Sequence, residues 1–416
     1  MPIALAALTL AAFGIGTTEF VVMGLLPTIA RGLDVSIPSA GQLVSAYALG
    51  VVVGAPLLTA LAMRLPAKTT LLALMGLFTV GNALTAIAPT APLVLATRFV
   101  AGLPHGAFFG VGAVVAAGMV DKDKTAKAVS MMFLGLALAN IAGVPAGTFL
   151  GTTLGWRLAF VAVSVVGLFS LIGIAVLIPG GQRRTGARLG DELAAFRRAE
   201  VWLALGVVTV GFASIFSCYS YIAPLLTTVS GYRPSTVSYL LVLLGLGMTV
   251  GNLLGGHAAD RALARSLYAG LAILAAVLAL FAVAAHNPIT AAVGVFAVGM
   301  AGFALGPIMQ TYIMAKAPRA ASLVSAGVQA AFNVANSLGA YLGGLVIAAG
   351  LGYTAPTTVG ALLALTGLVL AAGVAVLTRN WAPGPCPTTS PTETIEALRR
   401  DGGSRDRRAD AESGRR

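Results

Sequence analysis

Glu19, Arg98 and His105 lie within long apolar stretches of the sequence, where a charged group is costly. A carboxyl group in such a place favours its neutral form, whereas a nearby arginine favours the carboxylate. Opposite charges in an apolar medium tend to pair, so we expect Glu19 and Arg98 to meet and His105 to lie close to Glu19. Together these residues predict a group that takes up and releases a proton. The alternatives are a static pair that joins two helices and, for His105, a simple helix contact.

The composition explains why these stretches are apolar. Of the 416 residues, 58% are hydrophobic and only 10% are charged, with a mean hydropathy of +0.92. Soluble globular proteins carry about 25% charged residues, so membrane lipid is the expected surrounding. Of the net charge of +12, all but +1 lies in short connections between apolar runs, so no nucleic-acid partner is expected. Two cysteines and scattered histidines form no metal-binding spacing, so neither metal nor cofactor is expected.

Twelve runs are long enough to cross a membrane, since a span needs about 20 mainly apolar residues. The predicted spans are 3–30, 40–62, 70–88, 93–119, 127–152, 158–178, 201–229, 235–256, 265–285, 289–315, 322–349 and 354–377. The first run is too long, and lacks the basic start, for a signal peptide. The sequence therefore predicts an all-α integral membrane protein with twelve transmembrane helices.

The basic residues of the connections predict which side of the membrane each connection faces. Alternate connections, with Arg379 at the end of the last span, hold fifteen lysines and arginines, among them Arg64, Lys68, Arg261 and Arg265. The intervening connections hold three, which are Arg31, Arg157 and Arg233. Because cytoplasmic loops carry the excess of basic residues, both termini are expected in the cytoplasm, in a bacterial inner (plasma) membrane.

A shift of 197 residues overlays the two halves of the chain without a gap. The matched pairs are Gly14 and Gly211, Pro27 and Pro224, Gly54 and Gly251, Arg64 and Arg261, Gly102 and Gly299, and Gly147 and Gly344. This predicts two pseudo-symmetric six-helix bundles, 1–180 and 201–378, joined by a cytoplasmic linker, 181–200, and followed by a disordered cytoplasmic tail, 379–416. In a parallel six-plus-six repeat the substrate binds near the membrane midplane between the halves.

The connection between predicted spans 8 and 9 carries Asp260 and Arg261 within Gly-His-Ala-Ala-Asp-Arg-Ala-Leu-Ala-Arg, residues 256–265. It resembles the Gly-x-Leu-Ala-Asp-Arg-x-Gly-Arg-Arg loop of the major facilitator superfamily, and the resemblance to that family covers about residues 3–378. An acid at a helix end that pairs with basic residues can act as a gate. The first-half copy keeps Arg64 and Lys68 but lacks the acid and the glycine, so a gate there would be weaker. An ordinary charge cluster is the alternative.

Two motifs inside spans resemble that family as well. Arg98-Phe-Val-Ala-Gly102 is similar to its Arg-x-x-x-Gly motif, which is implicated in proton coupling. Gly143, Pro145 and Gly147 in span 5 are similar to the Gly-Pro-x-x-Gly-Gly motif of antiporter subfamilies, although the pattern departs from it around Val144 and Pro145. Close helix packing is the alternative for these glycines.

Polar and aromatic residues in several spans could line a solute cavity around Glu19. The candidates are Tyr47, Phe109, Tyr219, Tyr221, Gln310, Gln329 and Asn333. Gln329, Asn333 and Asn336 form a stripe on span 11, for which hydrogen bonding between helices is the alternative. Aromatic and amide groups around one acid suit a neutral or cationic, partly apolar solute.

Segments 47–56, 104–113 and 329–333 resemble bacterial drug:proton antiporters, a group that includes arabinose efflux permeases and chloramphenicol-resistance exporters. This resemblance implies efflux of a small solute, drug or sugar, in exchange for protons by alternating access, and we expect a monomer. A proton-coupled importer and a solute sensor that does not transport are alternatives. A membrane enzyme is disfavoured because the acids are scattered and the histidines lie apart.

Overall fold

In the computed structural model, residues 3–62, 65–121, 124–180, 199–316 and 321–379 are described, and they contain helices and turns but no strand. Spans 1, 2, 3 and 6 are the helices Ala4–Leu33, Ile37–Ala62, Ala67–Ile87 and Trp156–Leu177. Span 4 consists of two segments, Ala91–Gly102 and Pro104–Gly118. Span 5 consists of three, Thr125–Leu138, Ala139–Gly143 and Val144–Leu154. Span 7 comprises Ala199–Tyr219, Ile222–Pro224 and Leu225–Val229. Pro234–Ala284 holds spans 8 and 9, and Pro288–Lys316, Ala321–Ala348 and Ala355–Arg379 are spans 10 to 12.

The helix Pro234–Ala284 accounts for two predicted spans at once. Its 51 residues would measure about 76 Å if straight, more than twice the thickness of the hydrocarbon layer. Its backbone leaves helical geometry at Ala262, where φ is −160° and ψ is 72°, so the helix bends there. Eleven helices in the described part of the chain are long and apolar enough to cross a membrane. Counting the bent helix as two gives the twelve spans that the sequence predicts.

Prolines explain the breaks within individual spans. Pro104 has no N–H to donate, and the carbonyl of Val100 instead accepts from the N–H of Leu103 at 3.3 Å. Span 5 widens into a π-helical turn over Ala139–Gly143 just before Pro145. Span 7 has a turn between Tyr219 and Ile222, ahead of Pro224. Each interruption lies in a span that carries candidate site residues.

The 197-residue repeat appears in the packing of span 2 on span 4 and of span 8 on span 10. A Cβ atom on Gly54 would overlap the backbone of Leu103, and one on Gly251 would overlap the backbone of Met300, its counterpart at the same shift. Gly102 likewise lies against the carbonyl of Tyr47, and Gly299 against the carbonyl of Leu244. Glycine lets two helix backbones approach this closely. The repeat therefore preserves the helix contacts of both halves.

The two halves meet most extensively through spans 2 and 11 and through spans 5 and 8. The Ser45 hydroxyl donates to the carbonyl of Ser337 at 3.2 Å, which joins span 2 to span 11. Gly245 in span 8 lies against the backbone of Asn140 in span 5. Residues 181–198 of the predicted linker and 380–416 of the predicted tail lie outside the described residues, so the four segment boundaries stay predictions.

Candidate functional site

Arg98 is fully buried in span 4, and acceptors on span 1 hold its guanidinium. Its Nη1 donates to the hydroxyl of Thr18 at 2.9 Å, and its Nη2 donates to the carbonyl of the same residue at 3.0 Å. The cation lies 4.4 Å from the ring centre of Tyr47 and 5.6 Å from that of Phe160. Cation–π contacts and charged hydrogen bonds offset the cost of burying this charge.

The ion pair expected between Glu19 and Arg98 does not form in this structure. Within the described residues, no carboxylate oxygen lies within 4.0 Å of the guanidinium. Thr18 offers two acceptors on the side of span 1 that faces Arg98, so the arginine bonds to the neighbour of Glu19 in the chain. The two charges are still close enough to interact electrostatically.

Glu19 points instead towards His105, as expected. The Oε2 atom of its carboxyl group lies 4.0 Å from Nδ1 of His105, and the same ring nitrogen shares a hydrogen bond of 3.1 Å with the hydroxyl of Tyr47. Gly102 makes this possible because it lets span 4 approach the backbone of span 2 at Tyr47. All three side chains are buried. A carboxyl group, an imidazole and a phenol thus lie side by side in one buried group.

The second half contributes an amide and aromatic rings to this group. The side-chain amide of Asn336 in span 11 faces Glu19, although neither amide atom meets a partner in ordinary hydrogen-bond geometry. Tyr219 in span 7 is close enough to Glu19 to interact electrostatically. The Phe20 ring packs against the rings of Tyr219, at 5.7 Å, and Phe216, at 6.2 Å. Glu19 therefore lies where the two halves meet.

The other predicted cavity residues have different positions. Phe109 packs beside His105, with ring centres 5.2 Å apart, and so belongs to the same group. Tyr221 lies away from it, with its hydroxyl donating to the carbonyl of Ala340 at 2.8 Å. The Asn333 amide donates back to the carbonyl of Gln329 in its own helix at 3.0 Å, while its Oδ1 has no partner. Gln310 is half-buried in span 10.

The glycines of span 5 pack against span 1, the helix that carries Glu19. Gly143 lies against Thr17, Gly147 against Val21, and Gly151 against Leu25, so both rows advance four residues at a time. Pro145 is buried at the start of the helical segment that follows the π-helical turn. The packing interpretation of this motif is therefore seen directly, and its link to antiport stays a prediction.

The proposed gate residues lie apart from Glu19. Asp260 and Arg261 are exposed, two residues and one residue before the bend at Ala262, and no salt bridge to either occurs in the described ranges. Lys68 is half-buried at the start of span 3. Arg64 lies outside the described residues. No gate pair is formed here by the described members of this set.

A cavity of about 200 Å³ opens between spans 1, 5, 7 and 8. Thr28, Arg31, Thr152 and Thr227 supply its polar lining, beside Pro27 and other apolar residues. None of the seven predicted cavity residues lines it. It lies towards the end of the molecule where span 1 joins span 2, which the charge pattern predicts to face away from the cytoplasm.

Sequence reasoning missed Thr18 and Asn82 entirely and left Asn336 out of the candidate site. Asn82 is fully buried in span 3 and accepts a hydrogen bond from the hydroxyl of Thr18. Threonine and asparagine are common in membrane helices as back-bonding residues, so their types alone gave no signal. A helical wheel of span 1 with Arg98 as the partner to be satisfied could have identified Thr18.

Comparison with known proteins agrees with this architecture. The family model described as Major Facilitator Superfamily matches residues 8–326 and 205–402. The inner membrane transport protein YdhP of Escherichia coli (strain K12) is 45% identical over 88% of this chain and 94% of its own. The chloramphenicol resistance protein of Streptomyces lividans is 36% identical over 85% and 90%, and the putative transporter AraJ of Escherichia coli (strain K12) is 33% identical over 87% and 92%.

A solved structure of a bacterial homolog to the human lysosomal transporter Spinster, in an inward-facing and occupied conformation, has the same fold. The TM-score is 0.72 at 16% identity, over 92% of this chain and 98% of that chain. The relatives and the fold are those of multi-pass membrane transporters of small molecules rather than of enzymes. The chain belongs to the major facilitator superfamily.

Proposed function

We propose that the protein exports a small solute across the inner membrane in exchange for protons, with Glu19 as the proton-binding group. One observation carries the proposal. Among the described residues, Glu19 is the one buried acid, and it lies between His105 of its own half and Asn336 of the other. A group at this junction is exposed to one side of the membrane and then the other as the halves rock.

The contacts of Glu19 indicate how a proton would be exchanged for solute. When Glu19 is protonated, its hydroxyl can donate to Oδ1 of Asn336, which satisfies both groups and lets the halves close. When Glu19 is ionised, the carboxylate needs another partner, which a solute with a positive charge or a hydrogen-bond donor supplies. After the solute has left to the outside, a proton binds from the outside. This proton is then released to the cytoplasm.

The surroundings of Glu19 favour a neutral or cationic solute with an apolar part. The rings of Tyr47, Phe109, Tyr219, Phe20 and Phe216 supply apolar and polarisable surface. Asn336 supplies a donor and an acceptor, and Glu19 the single negative charge. A drug-like solute agrees with the relative named for chloramphenicol resistance, and a sugar with the polar groups. Both termini are placed in the cytoplasm on the charge bias of the loops, and one chain holds both halves of the site, so the working unit is a monomer.

The experiment is proton movement in liposomes that contain the purified protein. A pH gradient is imposed, and a pH-sensitive dye follows it while phenicols, pentoses, nucleosides and cationic dyes are added in turn. Solute-dependent collapse of the gradient is expected for wild type and is expected to be lost in Glu19→Gln. Asp121→Asn is the control, since Asp121 is an exposed acid that pairs with Lys124 at 2.9 Å. Unchanged coupling in Glu19→Gln would remove the assignment.

The direction of solute flux separates the remaining alternatives. An exporter drives radiolabelled solute against an opposing proton gradient, whereas an importer moves both in the same direction. Solute binding without any movement would identify a sensor. Each outcome is read on the same liposome preparation.

A further inference from the structure

A chain of hydrogen bonds links Asn82 of span 3, Thr18 of span 1 and Arg98 of span 4. Nδ2 of Asn82 donates to the carbonyl of Phe78 at 2.9 Å, which turns its Oδ1 towards span 1. The Thr18 hydroxyl donates to that Oδ1 and so keeps its lone pairs for Nη1 of Arg98. The side chains of Asn82, Thr18 and Arg98 are fully buried. Span 3 therefore fixes the hydroxyl of span 1, which in turn fixes the guanidinium of span 4.

This arrangement decides where the charge of Arg98 lies. The guanidinium bonds to the hydroxyl and the carbonyl of Thr18, while the next residue, Glu19, turns its carboxyl group to His105. If the hydroxyl were absent, one of the two acceptors on Thr18 would be lost. The nearest anion able to replace it is the carboxylate of Glu19. Hydrogen bonds between charged groups are stronger than those between neutral groups, so such a pair would be held firmly in this buried place.

We propose that Thr18 and Asn82 are positioning residues that keep the Arg98 guanidinium from forming an ion pair with Glu19, so that Glu19 remains able to take up a proton. The consequence for transport rests on the proposed function, whereas the geometry can be tested without any solute. Neither residue is part of the motifs that the sequence displays.

The test measures how fast Glu19 reacts with N,N′-dicyclohexylcarbodiimide, which modifies protonated carboxyl groups in apolar surroundings. The purified full-length chain is treated at pH 7, and the modified peptide is quantified by mass spectrometry, with Glu19→Gln as the blank. Besides Arg98, the titratable groups facing Glu19 are His105 from span 4, Tyr47 from span 2 and Tyr219 from span 7. His105, Tyr47 and Tyr219 are unchanged in all the variants of Thr18, Asn82 and Thr17 that the test compares.

Thr18→Val keeps the shape of the side chain and removes the hydroxyl, so Arg98 is expected to turn to Glu19 and slow the modification about tenfold. Thr18→Ser keeps a hydroxyl at this position, so the modification of Glu19 is expected to be within twofold of the wild-type rate. Asn82→Leu is expected to act in the same direction as Thr18→Val, and the double variant to add little. Thr17→Val is the matched control, because the Thr17 hydroxyl bonds back to the carbonyl of Phe13 in its own helix at 2.7 Å.

Three results would overturn the inference. The first is an unchanged or faster reaction in Thr18→Val and Asn82→Leu, and the second is an equal slowing in Thr18→Ser or Thr17→Val. The third is the absence of reaction at wild-type Glu19 at pH 7, because a carboxyl group kept free of Arg98 in this apolar site should be open to the reagent. If Thr18→Val slows the reaction but no solute moves protons in liposomes, the positioning role stands and the proposed function fails.

Discussion

The two halves of the molecule share their helix contacts but not their polar centre. The centre of the first half consists of Thr18, Glu19, Tyr47, Asn82, Arg98 and His105. At a shift of 197 residues the second half has Ile215, Phe216, Leu244, Ala279, Val295 and Gly302. None of these six carries a charged or hydrogen-bonding side chain. The glycine contacts of Gly54 and Gly251, in contrast, are equivalent in both halves.

This difference shows that the repeat conserves architecture and leaves chemistry free to diverge. Ile215, Phe216, Leu244 and Val295 are buried, so the second half packs with apolar side chains where the first half holds a charge. Its ring at Phe216 stacks on Phe20, next to Glu19. The part of the second half that lies against Glu19 is thus mainly apolar, with Asn336 and Tyr219 as its polar groups near the carboxyl group.

The largest expected effect comes from placing the arginine in the half that lacks its acceptors. Val295 is the counterpart of Arg98, and the counterpart of Thr18 is Ile215, which has no hydroxyl. Val295→Arg therefore buries a cation without that acceptor, at a cost of about 3 kcal/mol. We expect most of the protein to be lost from the monodisperse peak in size-exclusion chromatography after detergent extraction. Val295→Met controls for side-chain size and should remain folded.

A second variant sharpens this prediction. Adding Ile215→Thr to Val295→Arg rebuilds the hydroxyl that holds Arg98 in the first half, and it should recover part of the folded protein. If Val295→Arg alone were as stable as wild type, the hydroxyl of Thr18 would not be what makes burial of Arg98 tolerable.

An intermediate effect is expected at the glycines that both halves share. In Gly54→Ala the new Cβ overlaps the backbone of Leu103, and in Gly251→Ala it overlaps that of Met300, so each should destabilise the protein by about 1–3 kcal/mol. The measurement is the melting temperature in detergent. Gly110→Ala is the control, since nothing lies within 4 Å of its Cβ and alanine favours a helix. A loss of stability in only one half would show that the two contacts are not equivalent.

Much of the fold followed from the sequence because lipid imposes simple rules. The lengths of the apolar runs predicted the spans, because each span must cross a lipid layer of fixed thickness. The positions of glycines and prolines predicted the repeat, because closely packed membrane helices need small residues at fixed places. The two separate spans 8 and 9 were predicted, but the shortness of their connection was not, because residues 256–265 are polar enough to be interpreted as a loop. At Ala262 a single residue with non-helical backbone angles separates the helix of span 8 from that of span 9.

The site was predicted only in part, for a different reason. Charges in apolar runs identified Glu19 and Arg98, but charge alone predicted that they would pair. The actual partner, Thr18, depends on which face of span 1 turns to span 4, and a shift of one residue along a helix rotates a side chain by about 100°. Tyr221 was placed in the cavity because it follows Tyr219, yet the turn after Tyr219 carries it to a different contact.

The smallest expected effect concerns that contact, at the end of the molecule where span 1 joins span 2. The hydroxyl of Tyr221 donates to the carbonyl of Ala340 and lies against Gly41 of the first half, and its ring packs on Gly343 and Gly344. The counterpart of Tyr221 in the first half is Gly24, which has no side chain, so the ring contact of Tyr221 has no equivalent in the first half. Tyr221→Phe keeps the ring and loses one hydrogen bond, about 1 kcal/mol.

Because the hydrogen bond to Ala340 holds the Tyr221 ring and hydroxyl against Gly41 of the first half, the halves should separate here more often in Tyr221→Phe, by about fivefold at most. A cysteine introduced by Ser45→Cys on span 2, in both backgrounds, reports the separation through its rate of alkylation by a membrane-impermeant maleimide. Tyr232→Phe is the matched control, because the Tyr232 hydroxyl donates to the carbonyl of Pro288 at 2.6 Å within the second half alone. Equal acceleration in both variants would mean that loosening the second half is enough, whereas acceleration in Tyr221→Phe alone would assign the closure to the fit of this ring against Gly41.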